Sequence, residues 1–143
     1  MCTFYEQRMD VPASPAALRT EYEDDFRAVL EGRTLESVSS ETEIDATRLE
    51  SLRDGDSPPI SLEEAAAIQS LEEGEPDPET IVTMACEHLL LGMTTAVVDV
   101  DTLAADLEGD LDAKEVQQKI ERRAPMTFEE FVRIQYAIAA RTR

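Results

Sequence analysis

Cys86, Glu87 and His88 place a thiol, a carboxylate and an imidazole side by side, the groups from which nucleophile-base pairs and metal sites are built. Their spacing argues against both uses. On a helix, adjacent side chains diverge by about 100° and those two apart by about 200°, so the three cannot converge on one ion or one proton. His88 is the single histidine of the chain, which leaves Ser-His and His-metal arrangements without parts. Asp54-Gly55-Asp56 begins like a calcium loop but lacks the later ligands, and no glycine-rich phosphate loop occurs. The expectation is therefore a non-enzymatic protein, with no catalytic residue, no metal, no cofactor and no evident small-molecule ligand. Cys86 and His88 read as packing or interface side chains.

The stronger candidates are Lys114, Gln117, Gln118, Lys119, Arg122 and Arg123. A helix over 113–123 that turns Ala113, Val116 and Ile120 inward would present Lys114, Gln118, Glu121 and Arg122 outward, with Gln117 and Lys119 on the flanks. Such side chains pair with carboxylates, phosphates or base edges. The charge distribution points to the same end. The chain has 32 Asp and Glu against 13 Lys and Arg, net −19, yet residues 114–143 are net +3 while residues 1–113 are net −22. A basic end on an acidic body suggests a partner of opposite sign. The expected function is a regulatory or protein-interaction module whose basic end meets an acidic protein surface, including that of a second copy. The alternative is a DNA-binding transcriptional regulator reading the major groove with the helix from Ala113 to Arg123.

Only two of the cations are lysines. So acidic and lysine-poor a composition suggests a halophile, in whose molar salt the Debye length falls to about 3 Å and self-repulsion is screened. Phosphate contacts weaken steeply under those conditions, which ranks DNA below protein as the partner.

These residues must be held by helices, because no segment alternates with period two. The most apolar stretch is 80–98, TIVTMACEHLLLGMTTAVV, in which Glu87 is the one formal charge. Asp77-Pro78-Glu79 supplies a cap, a first-turn proline and a carboxylate at the positive helix end. Apolar or small residues fall on every side (Ile81, Val82, Met84, Ala85, Cys86, Leu89, Leu90, Leu91, Met93), which predicts a central helix buried all round. Its length approaches the roughly 20 residues of a membrane span, but a carboxylate near the middle of a span costs ~2.5 kcal/mol or more. No membrane association is expected. MCTFYEQRMD has no apolar stretch behind a basic start, so no secretory signal is read and the expected compartment is cytoplasmic. Cys2 and Cys86 are too few for a disulfide framework and read as free thiols.

In chain order, residues 1–13 form an N-terminal arm with Phe4, Tyr5 and Met9 but no period. Residues 14–73 are a first helical repeat, 74–79 a linker, and 80–143 a second repeat that includes the central helix, all within one compact domain. Ser14-Pro15 opens a helix running to Gly32, Thr34 and Asp45 start two short ones, and Ser61-Leu62-Glu63-Glu64 is a capping box. The pattern then returns. Asp101 and Asp112 are read as caps of short helices, and Thr127-Phe128-Glu129-Glu130 is another capping box. Thr34-Leu35 aligns with Thr102-Leu103, Ile44-Asp45-Ala46 with Leu111-Asp112-Ala113, Pro59 with Pro125, and Ile68-Gln69 with Ile134-Gln135. The expected fold is all-α with about eight helices, as two helix-turn-helix-like repeats around the buried central helix.

Each half, through Leu35, Val38, Ile44 and Leu49 in the first and Leu103, Ala104, Leu107, Leu111, Val116 and Ile120 in the second, resembles the lambda-repressor-like helix-turn-helix family. That resemblance implies DNA reading by the second short helix of a pair. The chain as a whole, through MACEHLLLGM and LDAKEVQQKIERRAPMTFEEF, resembles a small haloarchaeal family of unknown function, which implies a halophilic cytoplasmic protein and no particular activity.

Overall fold

The computed structural model describes residues 3–142; Met1, Cys2 and Arg143 lie outside the described residues, and with them the expected free thiol at Cys2. Eight helices follow in order: α1 (Pro15–Leu30), α2 (Leu35–Thr42), α3 (Ala46–Arg53), α4 (Leu62–Gln69), α5 (Pro78–Ala96), α6 (Val100–Asp106), α7 (Ala113–Ile120) and α8 (Phe128–Thr142). The all-helical class is as expected. Among the described residues the β pairing is a single isolated antiparallel bridge, Ser61 to Thr127.

Helix starts follow the capping chemistry. Ser14, Thr34, Asp45, Ser61, Asp77, Asp99 and Asp112 each accept a backbone N–H from the residue three positions on, satisfying donors that a helix leaves unpaired. Pro15 and Pro78 stand in the first turns of α1 and α5, where no N–H is missed. One start differs from expectation: α6 is capped by Asp99, whose carboxylate accepts from Thr102 N–H at 2.8 Å, and not by Asp101. Asp101 instead lies in the first turn.

The central helix also needs correction. α5 packs against α4, α7 and α8, which bury Ile81, Val82, Ala85, Cys86, Leu89 and Gly92. Leu90 and Leu91 are 48% and 49% exposed. α5 is therefore a one-sided core helix whose open face carries Leu90 and Leu91 among Thr80, Glu87, Thr94 and Thr95, not a helix buried all round. Where it meets α8 the Ile138 side chain packs onto the bare backbone of Gly92: a Cβ there would lie 2.9 Å from Ile138 Cγ2.

The N-terminal arm is part of the core. Phe4 is 1% exposed, with ring centroids 5.3 Å from Phe128, 5.7 Å from Phe26 and 5.8 Å from Phe131, all at steep angles, the edge-to-face geometry that aromatic quadrupoles favour. Gln135 Nε2 donates to the Phe4 carbonyl at 3.0 Å. His88 Nδ1 meets the Tyr5 carbonyl at 2.6 Å, and Tyr5 donates its hydroxyl to Glu75. Burial, and then this carboxylate, push the Tyr5 hydroxyl up to about 12.

The long-short-short order of α1 to α3 is met again in α5 to α7, whereas α4 has 8 residues and α8 has 15. The loops before α4 and α8 touch directly. Leu62 N–H donates to the Met126 carbonyl at 3.0 Å, and Phe128 N–H donates to the Ile60 carbonyl at 2.9 Å.

Candidate interaction surface

The residues of the basic end are held by α7, by the turn after it and by α8. α7 is shorter than the sequence suggests. It ends at Ile120, and Arg122 takes a left-handed conformation, φ 64°. Arg122 N–H donates to the Lys119 carbonyl at 3.1 Å and Arg123 N–H to the Gln118 carbonyl at 2.7 Å, a closure that usually employs glycine. The expected helix from Ala113 to Arg123 is thus corrected at its C-terminal end. Arg122 leaves the face that Lys114 and Gln118 occupy.

Most of the positive charge in this region is already paired. Lys119 Nζ donates to the Pro125 carbonyl at 2.8 Å and to Glu130 at 3.0 Å, so it faces the protein and not a partner. Arg141 holds Asp106 through two hydrogen bonds of 2.6 and 2.9 Å, which keep the carboxyl of Asp106 below the usual range. Arg133 pairs with Asp110. Arg123 is 3.6 Å from Glu121, a loose and exposed pair, and Gln117 donates to the same carboxylate at 3.3 Å. Lys114 is exposed. Among the described residues, the cations with no carboxylate in ion-pair range are Arg33, Lys114 and Arg122.

Arg122 differs from the other two in what lies beneath it. Its guanidinium donates to the Thr83 hydroxyl of α5 at 2.8 Å. It borders a cleft of about 320 Å³ between α4, α5 and the turn after α7, with Leu62, Val82, Cys86 and Met126 in its lining and Glu63, Lys119 and Arg123 also at its edge. Cys86 is 4% exposed. Burial raises its thiol to about 11, with nearby Arg122 pulling the other way, so it is neutral and poorly nucleophilic. Glu87 is exposed and His88 is turned to the arm. The three consecutive side chains do not meet, and among the described residues no three His, Cys, Asp or Glu side chains are grouped to hold a metal.

A second concavity of about 310 Å³ lies beside α7, where Leu90, Met93, Val100 and Ile120 meet Gln117 and Glu121. The six sequence candidates are therefore divided. Arg122, Arg123 and Lys119 surround one cleft, Gln117 borders the other, and Lys114 and Gln118 border neither of these two.

Residues 18–141 match the model of a family of unknown function, DUF5791. The chain belongs to that family. No curated protein and no solved structure matches it, so the likeness to lambda-repressor-like proteins stands on apolar spacing alone. The family match spans α1 to α8 almost completely and so covers both clefts. No single helix among the described residues is long and apolar enough to cross a membrane; α5 and α6 together pass on length and composition, but they are bent by 96°.

Sequence reasoning missed Thr83 and the cleft floor. Thr83 carries no signal beyond lying one turn before Glu87. Val82 and Cys86 do share one face of α5 at i, i+4 spacing, but nothing local says that the turn after α7 will roof them.

Proposed function

We propose that this is a non-enzymatic, cytoplasmic protein-interaction module that uses its basic C-terminal end. The observation that carries the reading is Arg122, a guanidinium held by one neutral hydroxyl with no carboxylate in range, at the edge of a cleft of mixed polar and apolar lining. In a chain of net −19 most arginines have a carboxylate partner, so one without a carboxylate at the edge of a cleft is an incomplete contact. Arginine is also the cation best suited to such sites, since its planar fork binds carboxylates and tolerates partial burial.

The DNA-binding reading has less in its favour. In a helix-turn-helix the N-terminal residues of the reading helix approach the bases, and α7 begins with Asp112 and Glu115, whose carboxylates close a capping box there. Phosphates would be repelled at that end, and Lys119 is committed to Glu130.

An internal duplication is part of the proposal. It is supported by what happens at three aligned pairs: the Pro59 carbonyl and Glu64 are held by Arg48, the Pro125 carbonyl and Glu130 are held by Lys119, which does not itself align with Arg48, and Gln69 and Gln135 are both buried. Halophilic adaptation is supported by composition, and it predicts helicity that rises with KCl in a circular-dichroism series.

The test of the interaction reading is affinity capture at molar KCl with bound protein and nucleic acid both identified. Replacing Lys114, Gln118 and Arg122 together should release a protein partner without loss of helicity. Enrichment of DNA that the same replacement abolishes would contradict the reading.

A further inference from the structure

The cleft at Arg122 sets two exposed arginines beside a small apolar lining. Val82, Cys86 and Met126 are each at most 4% exposed and close the cleft from beneath, while half-buried Ala124 and exposed Pro125 are the apolar residues of its lining that a partner can reach. Arg122 and Arg123 stand along one side, and Arg123 is held only by the loose, exposed contact to Glu121, a kind of pair worth little. On the other side Glu63 is exposed in the first turn of α4.

That arrangement selects its occupant by charge and by size. A bare anion would gain from the guanidinium but nothing from the floor, and a purely apolar group would leave Arg122 unmatched. At about 320 Å³ the cleft lies at the small end of the range that encloses a free ligand. It suits one side chain presented by a larger body. Glu63 fixes the polarity, since a carboxylate is drawn to the Arg122 side and repelled from the α4 side.

We infer that this cleft receives an acidic segment of a protein partner, with a carboxylate on Arg122 and Arg123 and a neighbouring apolar side chain against Ala124 and Pro125, above the buried Val82, Cys86 and Met126. The inference rests on the interaction reading above and adds the chemistry of the partner. Arg122 and Arg123 are both exposed, so the carboxylate contact weakens as salt rises and the apolar contact beside it does not.

A short blocked peptide with glutamates flanking a leucine is the probe, titrated into the full chain at molar KCl while the methyl resonances of Val82 and Met126 are followed. Saturable shifts at both methyls are expected, weakened about tenfold or more in Arg122→Gln and strengthened in Glu63→Gln. The opposite signs of two exposed substitutions guard against a general loss of folding, which the remaining methyl resonances report directly. Absence of shifts at the two methyls, equal binding of the glutamine version of the probe, or indifference to Arg122→Gln would each overturn the inference. Equal shifts with acetate alone would also overturn it, since they would mark a simple anion site. If the probe fails while capture still yields a protein lost in the triple replacement, the cleft assignment falls and the interaction reading stands. Captured DNA that depends on the same residues would remove both.

Discussion

Ser61 and Thr127 face each other across an isolated antiparallel bridge, and each opens a helix with the same capping box. Ser61 Oγ accepts from Glu64 N–H at 3.0 Å and Thr127 Oγ1 from Glu130 N–H at 3.0 Å, while both glutamates return a bond to the cap backbone. The two helix starts are thereby tied to one another as well as capped.

From this follows the first prediction. Ser61→Ala and Thr127→Ala should each cost about 1 kcal/mol as lost N-caps. Because the caps share one bridge, the double variant should be non-additive by about 0.5 kcal/mol or more. Urea denaturation of the four proteins measures this, and strict additivity would show the two caps to be independent.

The arm gives the second. Phe4→Ala removes the ring at the centre of the aromatic cluster and should destabilise by about 3–5 kcal/mol, large against the stability of a small domain. If thermal denaturation shows a change below about 1 kcal/mol, the arm is not part of the core.

Neighbouring positions on α5 should behave oppositely. Leu90→Asp, on the open face, should change stability by no more than about 1 kcal/mol. Gly92→Leu must displace Ile138 and should cost about 1–3 kcal/mol by overpacking. A severe loss from Leu90→Asp would restore the picture of a helix buried all round.

Acid should weaken the fold. Hydrogen bonds from Arg48 hold Glu64 below its usual range, Arg141 does so for Asp106, and backbone amides do so for the caps Asp45, Asp77 and Asp99. A carboxyl with a depressed pKa in the folded state stabilises it above the unfolded pKa, and that stability is lost as pH falls below about 4. Asp25, raised by burial, works the other way. In molar KCl, which screens general repulsion, the thermal midpoint should fall between pH 6 and pH 3, and less steeply in Glu64→Gln. A flat profile would contradict this.

What was legible in the sequence was mainly local. Caps and prolines located seven helix starts because they answer unpaired backbone donors within three residues, and the apolar spacing of Val116 and Ile120 placed α7's inner face correctly. The misses were tertiary. Leu90 and Leu91 are apolar whichever side α4 and α8 cover. Phe4 has no period to show that its ring is enclosed by α1 and α8. Of the candidate site, residue types were readable, but the pairing of Lys119 with Glu130 and the left-handed turn at Arg122 arise from how α7 meets α5 and α8.

The central claim is that Arg122, and not the outer face of α7, contacts the partner. Affinity capture at molar KCl from native extract, comparing wild type with Arg122→Glu and with Lys114→Glu, tests it most directly once circular dichroism has shown all three to be folded. The account predicts a captured protein that is lost with Arg122→Glu and kept with Lys114→Glu, without enriched nucleic acid. Retention by Arg122→Glu, or DNA released by Lys114→Glu, would contradict it.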